Sequence, residues 1–325
     1  MRSGVKKNKR LSEFNQKSFE KHLNFAKDFL YQGKIEESWD AFHDALVINF
    51  ESIEAKSGMK IAGYWKERQV KLDKIDDFFE KGEYLLREAK SFTKSYIHQN
   101  SILIDHGVKD IEHWIYNTAY ISFKRYSELT NNEKNPDLLL KQGFCQKILG
   151  DYDLAQKLLE EAVTITKNSS SILAQLADVY SLIDEEKHSK LFFREAFFIA
   201  PQDIDLDSLE SMIIKKIIEN LEYKEYPLNE LKEWIPVYGT ILGLFSVKKE
   251  LKPIEVGLLK QSIYSLNNQL TIGEINRGIV IPRLINHYFR LLDFFVSTNA
   301  TKTEIEEILL NIKLLDKKIY DLYLN

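Results

Sequence analysis

A period of 34 residues between residues 136 and 203 constrains the fold more than any other feature of the sequence. Five residues have counterparts 34 positions later: Gly143, Ala155, Leu159, Ala162 and Lys167 correspond, in this order, to Ala177, Ser189, Phe193, Ala196 and Pro201. In every pair except the last, both residues are small or apolar. Within each unit the apolar residues recur three and four positions apart, which predicts two amphipathic helices. Small residues at the matched positions would allow these helices to pack closely.

A third copy of the pattern lies in residues 19–52. Ser38, Phe42 and Ala45 follow Gly33 at the same spacings at which Ala155, Leu159 and Ala162 follow Gly150. Residues 53–135 also show the helical spacing of apolar residues but lose the period, and we interpret them as divergent repeats. Beyond residue 203 the period ends while the helical pattern continues.

A helix–turn–helix unit of 34 residues is the mark of the tetratricopeptide repeat (TPR), and at these positions the chain resembles proteins of that family. The resemblance implies an all-α fold, a TPR-like right-handed superhelix of helical hairpins. Three segments are predicted: a flexible basic tail in residues 1–11, TPR-like repeats in 12–203, and a C-terminal helical module in 204–325. Because the open end of a repeat array needs a cover, we interpret the last segment as a cap.

Composition excludes several classes of protein. Hydrophobic residues make up 44% of the chain, which indicates a globular protein, and only 13 Gly and 6 Pro in 325 residues favour helices over many short strands. The formal charge of -4 argues against a nucleic-acid partner. A single cysteine, Cys145, excludes an internal disulfide. No apolar run reaches the length of a membrane span, so we predict no integral membrane segment.

No residue pattern indicates catalysis. The sequence contains no phosphate-binding glycine loop, HExxH motif or GxSxG motif, and we therefore predict a protein that is not an enzyme and needs no cofactor. His106, Asp110 and His113 have the spacing of metal ligands on one helical face. Gly107 interrupts that helix, so we interpret these histidines as ordinary surface residues and predict no metal.

TPR arrays bind ligands in a concave groove lined by the first helix of each unit, and the resemblance implies the same role here. The corresponding positions are Leu23, Lys27, Leu30 and Tyr31 in the N-terminal unit, Asp137, Leu140, Phe144, Lys147 and Ile148 in the next, and Ala174, Asp178, Ser181 and Leu182 in the last.

Chaperone-binding members of the family hold a C-terminal carboxylate with Lys, Asn and Arg at several of these places. Here those places are occupied by Leu140, Phe144, Ala174 and Asp178. The predicted ligand is therefore an apolar helix or an extended segment of another protein. The alternative is that the chain's own neighbouring helices fill these positions.

The predicted function is a non-catalytic scaffold or adaptor for protein–protein interaction. The abundance of Lys, Ile and Asn is typical of an AT-rich bacterial genome. In this composition the chain is similar to the TPR scaffolds of spirochaetal flagellar-motor collars, which implies a bacterial envelope or motility assembly.

The predicted location is cytoplasmic, with attachment to the periphery of a membrane complex left open. The alternatives are a TPR-type regulator that senses a peptide and an enzyme whose site the sequence does not reveal.

Overall fold

The structure, a computed structural model, describes residues 2–100, 102, 107–272 and 276–324, of which residues 2–14 by their backbone alone. These residues form helices joined by short connections, and no β-strand occurs among them. The prediction of an all-α fold is confirmed. Within the described ranges, no helix is both long and apolar enough to cross a bilayer.

The fifteen α-helices of the described ranges have the following bounds: α1 Arg2–Gln32, α2 Ile35–Ile48, α3 Ile53–Leu72, α4 Phe78–Ser91, α5 Val108–Leu129, α6 Pro136–Leu149, α7 Tyr152–Ile165, α8 Ser170–Leu182, α9 Glu186–Ile199, α10 Met212–Glu222, α11 Leu228–Ile241, α12 Pro253–Ile272, α13 Arg277–Ser297, α14 Lys302–Leu315 and α15 Lys317–Leu324. Helix α4 continues through a π-helical segment, Phe92–Tyr96, into a last short turn, Ile97–Gln99. Two 3₁₀ turns, Pro201–Asp203 and Leu206–Ser208, precede α10.

The segment predicted as a flexible basic tail, residues 1–11, is helical from Arg2 onward and forms the first part of helix α1. Residues 2–32 contain no proline, and Gly4 is the only glycine in this helix. Lys, Arg, Leu, Glu and Gln supply half of the rest, and all are favourable in helices. Nothing in this part of the sequence therefore ends the helix.

The chain divides into two compact units, residues 1–155 and 156–325. In the first, a core of aromatic and aliphatic side chains lies among α1–α6 and includes the fully buried Phe42, Trp65 and Phe123. In the second, α8 and α9 share one apolar core with helices α10–α15. This division differs from the predicted boundary at residue 203, because the apolar faces of α8 and α9 pack against the C-terminal helices.

The small and apolar residues of the 34-residue period are buried. Relative exposure is at most 1% at the following matched positions: Ser38, Phe42, Ala45, Ala155, Leu159, Ala162, Ala177, Ser189, Phe193 and Ala196. Within the first hairpin, the Ser38 hydroxyl donates a hydrogen bond of 2.8 Å to the carbonyl of Ala26 on the facing helix. The period therefore marks two kinds of buried position: small residues such as Ala155, which let helices pack closely, and larger apolar residues such as Phe193, which fill the core.

One turn geometry recurs between α1 and α2, between α6 and α7, and between α8 and α9. Each first helix is followed by a residue with positive φ: Gly33 at 74°, Gly150 at 82° and Asp184 at 61°. The next residue donates its N–H to the carbonyl five positions back, and these bonds are Lys34 to Phe29 (2.9 Å), Asp151 to Gln146 (3.0 Å) and Glu185 to Tyr180 (2.8 Å). This is the Schellman arrangement, which satisfies helix-terminal carbonyls while the chain reverses.

Gly33 and Gly150 form a matched pair for a test of this turn. A Cβ atom at Gly33 would lie 2.0 Å from Nε1 of Trp114, whereas a Cβ at Gly150 meets no atom within 4 Å. We expect Gly150→Ala to lower the free energy of unfolding by about 1 kcal/mol, the cost of a left-handed alanine. Gly33→Ala should cost roughly 1–3 kcal/mol more, because Trp114 must move.

Urea denaturation of the two variants measures this difference, and Gly150→Asn serves as the control because asparagine tolerates the left-handed conformation. Equal losses for Gly33→Ala and Gly150→Ala would show that Trp114 does not pack against this turn.

Candidate functional site

The predicted groove face of α8 is covered by the chain's own residues 201–211. The Ser171 hydroxyl donates a hydrogen bond of 2.9 Å to the carbonyl of Asp203. Further along the helix, the Gln175 side-chain amide donates to the Ser208 hydroxyl at 2.6 Å. The Ser211 hydroxyl lies 2.8 Å from that of Ser181, one of the predicted groove residues. A polar stripe on α8 thus holds an irregular segment along the helix.

Asp178 is the centre of this contact, and its side chain is fully buried. Its carboxylate accepts hydrogen bonds from the N–H groups of Glu210 (3.0 Å to each oxygen) and Ser211 (2.8 Å). Ser211 is also the N-cap of α10, since its hydroxyl accepts from the N–H of Ile213. Of the other predicted groove residues on α8, Ala174 is in the core and Leu182 is half-buried. On α8, the chain itself therefore occupies the predicted groove.

The predicted groove residues of α1 fall into two groups. Leu23 and Leu30 are part of the core of the first unit. Lys27 forms an ion pair with Glu54 of α3, and Tyr31 stacks on the imidazole of His113 of α5 at a centroid distance of 3.7 Å. This face is therefore partly filled by neighbouring helices of the same unit.

The three residues considered as metal ligands do not form a described site. His106 lies outside the described residues. Burial raises the pKa of Asp110, and Nδ1 of His113 is buried without a hydrogen-bond partner among the described residues. In the part of the chain that the structure describes, no group of His, Cys, Asp and Glu side chains is arranged to hold a metal ion.

On α6 the predicted groove residues form a half-buried apolar stripe. Leu140, Phe144 and Ile148 are spaced four residues apart and lie on one face. The ring of Phe144 meets Tyr116 of α5 edge to face at 5.8 Å, and Nζ of the buried Lys147 lies 5.3 Å from the centre of the same ring. Asp137, at the start of the helix, is exposed.

Sequence reasoning missed a charged cleft in the second unit, bounded by α9, α12, α13 and the loop before α12. Its volume is about 690 Å³. A recess of about 70 Å³, lined by some of the same residues, extends it toward the C-terminal end of α13. The leucines of one wall are Leu251, Leu258, Leu259 and Leu266, and the polar side chains of α13 in the cleft are Arg283, His287 and Arg290.

Arg283 is held by a buried carboxylate beneath the cleft. Its Nε donates a hydrogen bond of 3.1 Å to Glu233, and its Nη2 is bonded to the other oxygen of the same carboxylate. Glu233 is 1% exposed and also accepts a hydrogen bond of 2.9 Å from the side-chain amide of Gln202. Both oxygens of Glu233 are therefore used, and the guanidinium of Arg283 has a fixed orientation.

Arg290 is held less completely. Its Nη2 donates a hydrogen bond of 2.7 Å to Oε2 of Glu195, and its guanidinium lies 4.0 Å from the centre of the Phe198 ring. The second oxygen of Glu195, Oε1, is buried and has no partner among the described residues. The ion pair thus uses one amino group of the arginine, whereas the Arg283 pair is bidentate.

A second ion-pair group forms the far end of the cleft. Asp293, three residues after Arg290, is paired with both Arg194 and Lys248. Lys249, next in the loop, is paired at 2.7 Å with Glu255 in the first turn of α12. The cleft therefore brings together charged side chains from three helices and one loop.

His287 is neutral at pH 7 and lies between the two arginines on α13. Its Nδ1 donates a hydrogen bond of 2.8 Å to the carbonyl of Arg283, and its ring lies 4.8 Å from that of Phe198. Burial, reinforced by the positive charges of Arg283 and Arg290, lowers the pKa of His287 to about 4. Because Nδ1 carries the proton, Nε2 is a hydrogen-bond acceptor.

One sequence signal could have revealed the cleft. Arg283, His287 and Arg290 follow at offsets of four and three within an otherwise strongly apolar helix, which places all three on one face. Charged residues on an apolar helix face are rarely buried unless they are paired. The partners Glu195 and Glu233 are 95 and 50 residues away from Arg290 and Arg283, so the sequence alone did not connect them.

No protein-family model matches this chain, and no curated protein matches it significantly. Its function is therefore inferred from the side chains described above.

Asp178→Ala tests the contact between α8 and residues 201–211. Removing the carboxylate leaves the N–H groups of Glu210 and Ser211 without their acceptor, and an unsatisfied buried group costs about 1–3 kcal/mol. We expect these two amide protons to exchange with solvent markedly faster, measured by hydrogen–deuterium exchange. Asp178→Asn, which keeps one acceptor oxygen, should have a smaller effect, and the exposed Asp137→Ala none. Unchanged protection at residues 210–211 would contradict this contact.

His287→Gln tests the buried imidazole through the pH dependence of stability. The pKa of His287 is lower in the folded state than in the unfolded chain. Above about pH 6.5 the imidazole is neutral in both states, so the protein has its full stability there. As the pH falls toward 4, only the unfolded chain gains the proton, and the free energy of unfolding decreases by about 3 kcal/mol. Glutamine can donate the same hydrogen bond without titrating.

Urea denaturation between pH 7 and pH 4.5 should therefore show a smaller loss of stability in His287→Gln than in the wild type. The control is His98→Gln, since His98 is exposed. Parallel curves for wild type and His287→Gln would rule out a buried neutral imidazole.

Proposed function

We propose that this chain is a non-catalytic protein-interaction module, built of TPR-like helical hairpins, that binds a segment of a partner protein on the faces of its first helices. The observation that carries the proposal is the binding of residues 201–211 on α8. There, side chains of a first helix bind an irregular segment by hydrogen bonds to its backbone and hydroxyl groups. This contact supports first-helix faces as binding surfaces, and because the α8 face is occupied by the chain itself, a partner would use another first helix.

Two further observations support TPR-like hairpins. The same left-handed turn follows the first helix in three hairpins, and the matched small residues are buried at the positions the family uses for packing. The proposal includes a right-handed superhelix and a cytoplasmic adaptor in a bacterial envelope or motility assembly.

The stripe of α6 is the proposed contact for a partner. Its residues Leu140, Phe144 and Ile148 are apolar and half-buried, whereas the corresponding face of α8 is polar and already covered. An apolar stripe selects apolar side chains, so the expected ligand is an amphipathic helix or an extended segment with apolar side chains. Such a ligand would bury the stripe, and a well-buried Phe or Leu contributes about 1.5–3 kcal/mol.

Phe144→Ala tests the proposed contact. Peptides selected by display on the immobilised protein would be titrated against the wild type and the variant by calorimetry. We expect the variant to bind at least about tenfold more weakly, since a tenfold change corresponds to about 1.4 kcal/mol. Affinity should change little with salt, because the stripe carries no charge.

The matched control is Phe50→Ala, which removes a ring that is 76% exposed outside the stripe. Urea denaturation would establish that Phe144→Ala is folded, because the ring also contacts Tyr116. If the two variants bind the selected peptides equally well, a partner does not use this stripe.

A further inference from the structure

The cleft of the second unit is independent of the proposed partner contact on α6. Its volume of about 690 Å³ lies within the range of small-molecule sites. Two kinds of surface line it. One is the stripe of Arg283, His287 and Arg290 on α13, and the other is the leucine wall of α12 and the preceding loop.

Arg290 has hydrogen-bonding capacity that the protein leaves unused. A guanidinium carries five N–H donors, and one hydrogen bond to Glu195 is found among the described residues. Buried nitrogen and oxygen atoms without a partner do occur in the described part of the chain, but none belongs to Arg290 or Arg283. Arg290 is 8% exposed and lines the cleft, so its remaining donors are the ones available to a ligand bound there.

The charges on α13 favour an anion at this place. Arg283 and Arg290 are seven residues apart, about 10 Å along the helix axis. Both disfavour protonation of His287 between them, although Glu195 and Glu233 lie close to the arginines. Glu233 and Glu195 each pair with one of these arginines, so the stripe presents guanidinium donors beside a neutral imidazole. An anion there would gain the attraction of the arginines together with the donors of Arg290.

The leucine wall favours a ligand with an apolar body. Leu259 and Leu266 are buried on the side of α12 that faces the cleft, and Leu258 at its rim is 59% exposed. Exposed leucine beside a charged stripe offers apolar contact to a ligand that is also charged at one end. Neither inorganic phosphate nor a neutral hydrocarbon would use both surfaces.

We propose that this cleft binds a small organic anion that carries its charge at one end, bound by Arg290 and Arg283, and has a hydrocarbon body that packs on Leu258, Leu259 and Leu266. The Nε2 atom of His287 accepts a hydrogen bond from any donor group next to the charge. Carboxylate and phosphate head groups both match the arginines, and the apolar body is common to both.

The experiment is a calorimetric titration at pH 7 with octanoate and octyl phosphate as the two anionic probes. Octylammonium carries the same hydrocarbon with the opposite charge, and inorganic phosphate supplies a charge without a hydrocarbon. We expect at least one anionic probe to bind the wild type at least tenfold more tightly than either comparison compound. The better of the two identifies the head group.

Two variants of α12 form a matched pair. Leu258 lines the cleft, whereas Ile254, one turn earlier and 73% exposed, does not. Both positions accept a charge without loss of a buried contact, so both variants should fold. We expect Leu258→Glu to weaken binding of the anionic probe at least tenfold by repulsion and loss of apolar contact, and Ile254→Glu to change it less than twofold.

An independent measurement locates the anion. Octanesulfonate keeps its charge at low pH, so the imidazole of His287 can be titrated by NMR in its presence, with His287→Gln to assign the signal. A bound anion stabilises the imidazolium, and the pKa of His287 should rise from about 4 to above about 5.

The proposal is overturned if neither anionic probe binds, if octylammonium or inorganic phosphate binds as tightly, if Ile254→Glu weakens binding as much as Leu258→Glu, or if the titration of His287 does not change. Each of these outcomes leaves the α6 contact untouched, because that test uses a different helix and a different ligand.

Discussion

The left-handed residue at the end of a first helix is the constraint on which the hairpins depend. Gly33, Gly150 and Asp184 reverse the chain within a few residues, because each lets the following N–H bond to a carbonyl five positions back. Short turns of fixed geometry bring the next helix back antiparallel to the first, and small residues then allow close contact. Burial of the matched positions follows from the turn together with their small or apolar side chains.

This locality explains which parts of the fold could be predicted from the sequence. The helices, the turns after α1, α6 and α8, and the buried small residues of the period all depend on contacts within about 34 residues. The occupation of the α8 face by residues 201–211 could be anticipated only as an alternative. Asp178 lies on the predicted groove face, but no sequence rule states that its carboxylate meets the backbone of residues 32 and 33 positions later.

The cleft of the second unit could not be predicted from the sequence, because its ion pairs join residues that are far apart in the chain. Glu195 and Arg290 are paired across 95 residues, and Arg194 and Asp293 across 99. Pairing at this distance depends on how α9 and α13 pack, which the spacing of residues within either helix does not determine. The spacing of Arg283, His287 and Arg290 on one helix face can be read from the sequence, whereas their partners and the leucine wall cannot.

Buried ion pairs are a weak source of stability, because the cost of removing two charges from water often equals or exceeds their attraction. The first unit is held by aromatic and aliphatic side chains such as Trp65 and Phe123, and the second has an apolar core of its own that includes Phe197 and Phe289. Stability alone therefore gives no reason to place Arg194, Arg290 and Glu233 at 8% exposure or less in one region. A ligand that uses the arginines does give such a reason, since a cation fixed by a buried carboxylate is already oriented when an anion arrives, and little conformational entropy is lost on binding.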